Sequence, residues 1–268
     1  MGHTLMYPSD VDFAEAWKNL LENHAKSNPM SVSGAEIAEY VGNLYRQAEN
    51  GRNQGLELPM RHILQTVSEH FGVMLNCPLL TAERTLLKIG TRPRRMPYAL
   101  ELSEYLYSRN IHTGVVCNSP FSGAAITSVF REHFRHPFDF VISSADTFMR
   151  KPLPLIFDLA VRKSGVDPSS IWFCGDDAVT DVTAAYRSGM FPIWYTDKTV
   201  DRDPFRGSFL DDPWEEHNLN TPGVSGGKGT MTEGKDYLRI ESLQQLEAKI
   251  EEILKSLLPK IKRNYYYG

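Results

Sequence analysis

The sequence is short of cysteine: Cys77, Cys117 and Cys174 are the only three among 268 residues. Their wide spacing fits no zinc or disulfide framework, and Cys117 and Cys174 fall in apolar runs that read as buried strands. A reducing, cytoplasmic setting is the expectation. Long apolar runs are missing as well. None approaches the roughly 20 residues that cross a bilayer. The first residues lack the charged-then-apolar pattern of a signal peptide. Positive charge is not in excess either. Lys and Arg number 29 against 33 Asp and Glu, a formal net charge of −4, so neither nucleic acid nor a membrane is expected as a partner. A hydrophobic content of 41% remains, enough for one α/β domain with a sizeable insert or for two small domains.

Two kinds of apolar pattern divide the chain. In the first third the period is helical: Phe13, Trp17, Leu20, Leu21 and His24, then Ile37, Val41, Leu44 and Ala48, then Met60, Ile63, Leu64, Val67 and Phe71. Ser33 and Glu36 form a capping box ahead of the second stripe. Residues 81–90 predict a short fourth helix, and no strand pattern appears in this region. From about Thr91, apolar runs alternate with helical segments. Strands are predicted over 112–118, 138–144, 171–175 and 191–195, and helices over 122–135, 154–165 and 178–189. Such alternation predicts an α/β fold with a parallel sheet covered on both faces and all strand C-termini along one edge. Residues 201–236 read as a long polar loop, 236–240 as a last strand, 242–258 as a closing helix and 259–268 as a frayed tail.

Polar residues collect at the C-terminal ends of consecutive predicted strands, in VVCNSPFSG (115–123), MRKPLPLIFDLA (149–160) and IWFCGDDAVTDV (171–182). Ligands of open α/β sheets bind at that edge. Asp176 and Asp177 leave a strand there and would offer oxygen to a hard divalent cation, with Asp181 one helical turn on. Lys151 would supply a fixed positive charge. A GDD turn is also a common helix cap, and Lys151 taken alone reads as a solvated loop residue.

In order and position these segments resemble motifs two, three and four of the haloacid-dehalogenase superfamily. The resemblance covers most of 91–195. It implies a Rossmann-like three-layer core with a helical cap inserted after the first strand. The boundaries would be 1–9 for a remnant of the first core motif, 10–90 for the cap and 91–268 for the core. It also implies a Mg²⁺-dependent hydrolase acting on a small phosphorylated substrate. Lys151 and Asp176 would be catalytic, Asp176, Asp177 and Asp181 would hold the metal, and Cys117, Asn118 and Ser119 would bind phosphate. Cys117 stands where the family carries Ser or Thr, and a thiol is a poor hydrogen-bond donor.

The family's first motif is a strand running into Asp-x-Asp-x-Thr, the first Asp a nucleophile and the second an acid–base group. Thr4 and Leu5 match its end, which puts the acid–base position at Gly2 and the nucleophile one residue before Met1. The expectation is a start upstream, the competing one a fragment or degenerate relative. A chain that begins at Met1, without that central strand, should be poorly stable or rearrange its sheet, and without the nucleophile Asp it is expected to be inactive or impaired. Asp10 and Asp12 form another Asp-x-Asp, but Ala14 follows where the motif carries Thr, and an acidic helix start explains them. Gly2 keeps dehalogenase and phosphonatase chemistry open, because relatives with those activities also lack the second Asp. A catalytically dead module that binds a phosphorylated ligand or a protein partner is the other-class alternative. Arg92, Arg94 and Arg95 would reach a phosphate or form a solvated loop, and His133 with His136, next to Pro137, makes a poor metal pair.

Overall fold

The computed structural model describes residues 3–197 and 233–264, with side chains through 256. The chain enters through Met6–Pro8 (β1) and then turns into Phe13–His24 (α1). Asp12 caps α1 by accepting the Glu15 amide at 2.9 Å. Ala25–Ser27 (β2) leads to Gly34–Asn53 (α2), where the Ser33–Glu36 capping box is formed. Met60–Phe71 (α3), Met74–Leu75 (β3) and Leu79–Thr91 (α4) complete the helical region. Each helix buries much of its expected stripe: Phe13, Trp17 and Leu20 on α1 with Ala16, Ile37 and Val41 on α2 with Tyr45, and Met60, Ile63, Leu64 and Val67 on α3, while Leu21, His24, Leu44, Ala48 and Phe71 are only part-buried. A fully buried side chain of this size contributes roughly 1.5–3 kcal/mol. Gly34 makes the α1–α2 contact possible, since a Cβ there would collide with the backbone of Ala14 and Lys18.

Pro93–Arg95 (β4) pairs antiparallel with β1, Tyr7 opposite Arg94, and β2 pairs with β3. The sequence shows no sign of these short ladders, because two or three residues are too few to display an alternation. Ala99–Ser108 (α5), a helix with no sequence expectation attached, follows. The α/β part continues with Gly114–Cys117 (β5), Gly123–His133 (α6), Phe140–Ser143 (β6), Ser144–Thr147 (α7) and Pro154–Ser164 (α8). Trp172–Gly175 (β7) comes next, then a π-helical turn Ala178–Thr183, Ala184–Arg187 (α9) and Phe191–Tyr195 (β8). Leu238–Ile240 (β9) and Leu243–Asn264 (α10) close the chain. The helix predicted over 178–189 is therefore part π turn, and α10 runs beyond the expected end into the expected tail. The loop expected over 201–236 lies outside the described residues except for its last four.

Strand residues alternate between two apolar clusters, as a sheet covered on both faces requires. Val115 and Cys117 face the cluster that contains the helical region and α6, while Val116 faces the one built on α8 and α9. Cys174 and Phe173 divide in the same way. The helices α1 to α4 share one continuous apolar cluster with β5, α6 and β8, so they are packed on the core rather than set apart from it.

The parallel strands fall into two separate groups, β5–β6 and β7–β8–β9. Among the described residues, no strand pairs with the remaining edges of β5 and β7. The apolar residues near them are correspondingly less covered than the sequence implies: Trp172 is 37% exposed, and Val116 and Phe173 are only part-buried. An unpaired buried backbone group costs about 1–3 kcal/mol, so these edges are the weakest part of the sheet. In hydrogen exchange, the amides of β8, paired on both sides, should outlast those of β7 that point away from β8. Equal protection of both sets would contradict this topology.

Candidate active site

Residues from several parts of the chain meet at the end of β7. At the C-terminus of β7 the chain passes through Gly175 into Asp176 and Asp177, then winds into the π-helical turn. Asp177 starts that turn by accepting the amides of Val179 at 2.9 Å and Thr180 at 2.5 Å. Both Asp181 and Val182 then donate their amides to the Asp177 carbonyl at 3.1 Å. The wider turn carries Asp181 back over the end of β7. Its carboxylate accepts the Asp177 amide at 3.2 Å and pairs with the Lys151 ammonium. A Cβ at Gly175 would collide with the Asp181 carboxylate, so glycine there is a steric condition for the pair.

Lys151 and Asp181 are 7% and 3% exposed. Burial opposes the lysine charge. The neighbouring Asp181, through charge and hydrogen bond, then Asp176 and Cys117, outweigh it and hold the Lys151 pKa above the usual lysine range. Asp176 is placed by Thr4, whose hydroxyl donates to Oδ1 at 3.0 Å, and by Trp194, whose Nε1 donates to its carbonyl at 3.2 Å. The Asn118 side chain holds the Lys151 backbone from both sides. It donates Nδ2 to the Lys151 carbonyl at 3.0 Å and accepts the Lys151 amide at 2.7 Å.

The structure therefore brings Lys151, Asp176 and Asp181 together and gives the other expected site residues different partners. Asp177 acts as a helix cap. Asn118 spends its amide on the Lys151 backbone rather than facing outward to a phosphate. Ser119 is buried, its amide donating to Ser144 Oγ at 2.8 Å and its Oγ accepting the Phe121 amide at 3.2 Å. The Cys117 thiol is buried and donates toward the Ile142 carbonyl at 3.6 Å. Burial pushes the Cys117 and Cys174 thiols well up, so neither is a thiolate nucleophile. No group of three or more His, Cys, Asp or Glu side chains able to hold a metal is found among the described residues.

The remaining candidates serve the joints of the fold. Asp10 pairs with Arg92 at 2.8 Å, and Arg95 donates to the His133 carbonyl at 2.9 Å. His136 stacks on Tyr107. Sequence reasoning missed Thr4 as a partner of Asp176, although it had placed Thr4 in the first motif. It also missed the buried Glu57 and Arg150, for which neighbouring Lys151 was the only signal.

A buried lysine–carboxylate pair and a further carboxylate thus lie at the C-terminal ends of parallel strands that are covered on both faces, the α/β arrangement of a hydrolase core. The family model for haloacid dehalogenase-like hydrolases matches residues 12–195, and the chain belongs to that family. It is a hydrolase of that type. Among solved structures it is similar to a HAD phosphatase from Thermococcus onnurineus, at 16% identity over 75% of this chain and 86% of that one, TM-score 0.49. It is also similar to a 2-haloacid dehalogenase from Pseudomonas syringae pv. Tomato DC3000, at 20% identity over 77% and 88%, TM-score 0.49. No curated protein matches the chain. Among the described residues, no helix is long and apolar enough to cross a membrane.

Asp181→Ala would leave a buried ammonium without its partner, and loss of about 3–5 kcal/mol in denaturant unfolding is expected; a loss under about 1 kcal/mol would mean the pair is solvated. Because the folded Lys151 pKa is raised, its stabilising contribution is fully present below the ordinary lysine value of 10.5 and is lost as pH rises through the folded value. Alkaline unfolding should therefore show a fall above about pH 10.5 in the wild type that is smaller in Lys151→Met. Identical profiles would remove the pair from the account.

Proposed function

We propose that the protein is a magnesium-dependent phosphomonoester hydrolase acting on a small phosphorylated metabolite in a reducing, cytoplasmic compartment. The observation that supports this best is the Lys151 ammonium, buried, held by Asp181 and close enough to Asp176 to feel its charge. A fixed cation at strand C-termini suits an anion whose charge grows during transfer.

The donor set suits Mg²⁺, which takes one or two carboxylates and completes its shell with water and phosphate. Asp176 would hold the ion, with Asp181 behind it, and the ion would offset phosphate charge. The protein's own groups do the rest. Lys151 binds a phosphate oxygen. Asp181 keeps the ammonium charged and in place. Asn118 fixes the loop from which it projects. The helical region 10–90, read as a cap, would exclude water and select the substrate, with 91–268 as the core and 1–9 as the first-motif segment. Gly2 at the acid–base position offers no proton to a leaving group, so turnover is impaired and falls steeply for poorly acidic alcohols. The same glycine favours one second reading, a module that binds a phosphorylated ligand without turnover.

Calorimetry with orthophosphate and Mg²⁺ separates these readings from neither. Binding that weakens about 10- to 100-fold in both Lys151→Met and Asp176→Asn is expected, the worth of one charge-assisted hydrogen bond. No binding, or binding that both variants retain, would overturn the site. With binding in hand, Mg²⁺-dependent release of para-nitrophenol from its phosphate ester selects the hydrolase over the second reading.

A further inference from the structure

The segment between α2 and α3 is sewn to the loops that carry Lys151. The Glu57 amide donates to the Phe148 carbonyl at 3.0 Å, and the Arg150 amide donates to the Gly55 carbonyl at 2.8 Å. Leu56 and Met149 form an antiparallel bridge. The Met60 amide donates to the Pro120 carbonyl at 2.7 Å, and Arg61 Nη2 to the Ala145 carbonyl at 2.7 Å. At the centre lies the fully buried Glu57 carboxylate. Oε2 accepts Arg150 Nη1 at 2.5 Å and the Ser144 hydroxyl at 2.6 Å. Oε1 accepts the Leu58 amide at 3.0 Å and faces Arg52 Nε at 3.5 Å.

Two routes lead from this carboxylate to Lys151. One passes through Arg150, the residue before it in the chain. The other passes through Ser144 Oγ, which accepts the Ser119 amide, and from Ser119 to the adjacent Asn118, which grips the Lys151 backbone. The buried charge cluster around Glu57 is a poor way to gain stability alone.

We propose that Glu57 is a positioning residue for Lys151, through which docking of the helical region and placement of the site's ammonium become one event. The phosphate site is then complete only while residues 54–60 lie against the 144–151 loop. This rests on the proposed phosphate chemistry only for its purpose. The coupling itself is a statement about where Lys151 sits.

The test is acetylation of the folded chain by N-hydroxysuccinimidyl acetate, read lysine by lysine by mass spectrometry. Wild-type Lys151 should be protected relative to exposed Lys26 and Lys163. In Glu57→Gln, which keeps the shape and removes the charge, Lys151 labelling should rise about tenfold with Lys26 and Lys163 unchanged, an effect of about 1.4 kcal/mol. Ser144→Ala, a milder cut in the second route, should raise it severalfold and serves if Glu57→Gln does not fold. Ile37→Ala, a cavity in the helical region far from this contact, controls for general loosening and should leave Lys151 protected at a comparable loss of melting temperature. Protection of Lys151 retained in both Glu57→Gln and Ser144→Ala, or equal exposure in Ile37→Ala, would overturn the proposal. The labelling does not require phosphate to bind, so a wild type that is protected yet binds no orthophosphate refutes the function and leaves the coupling standing.

Discussion

A buried ion pair between Lys151 and Asp181 is the constraint on which the candidate site depends. Taking two charges from water is costly, and their attraction recovers that cost only with close geometry and further hydrogen bonds. The chain supplies that geometry by several local devices. Gly175 leaves room for a carboxylate over the strand end. The π turn swings Asp181 into that space, an arrangement common at functional sites. Asn118 clamps the lysine's own peptide groups. Such a pair takes the place of ordinary apolar packing, and it is the feature on which the proposed chemistry rests.

The sheet carries a cost of another kind. Its parallel strands stand in two groups whose other edges have no strand partner among the described residues. Apolar packing on both faces holds the groups in place, with the helical region continuous with β5 and α6 in a single cluster. The contacts of Glu57 with Arg150 and Ser144 then join the helical region to the loops of the site. A substrate would thus meet a site whose two sides are already fastened together.

Much of the fold was legible in sequence because long elements announce their period. Helices α1 to α4 showed their stripes, and β5 to β8 showed short apolar runs followed by polar residues. Short ladders such as β1–β4 did not, since three residues hold no periodic signal. The site was legible in part. That Lys151, Asp176 and Asp181 come together could be read from their places at consecutive strand ends. The actual uses of Asn118, Ser119, Asp177 and Cys117 could not. Each choice between an outward ligand and an inward partner depends on side-chain direction and on residues distant in sequence. Glu57 was invisible for the same reason: 87 residues separate it from Ser144 and 93 from Arg150.

The most direct measurement is a crystal structure of the protein grown with Mg²⁺ and orthovanadate, a tetrahedral anion that stands in for phosphate. The account predicts the anion against the Lys151 ammonium, the metal on Asp176, and Asp181 still paired with Lys151. Density for the anion on another face, with Lys151 directed away from both carboxylates, would contradict it.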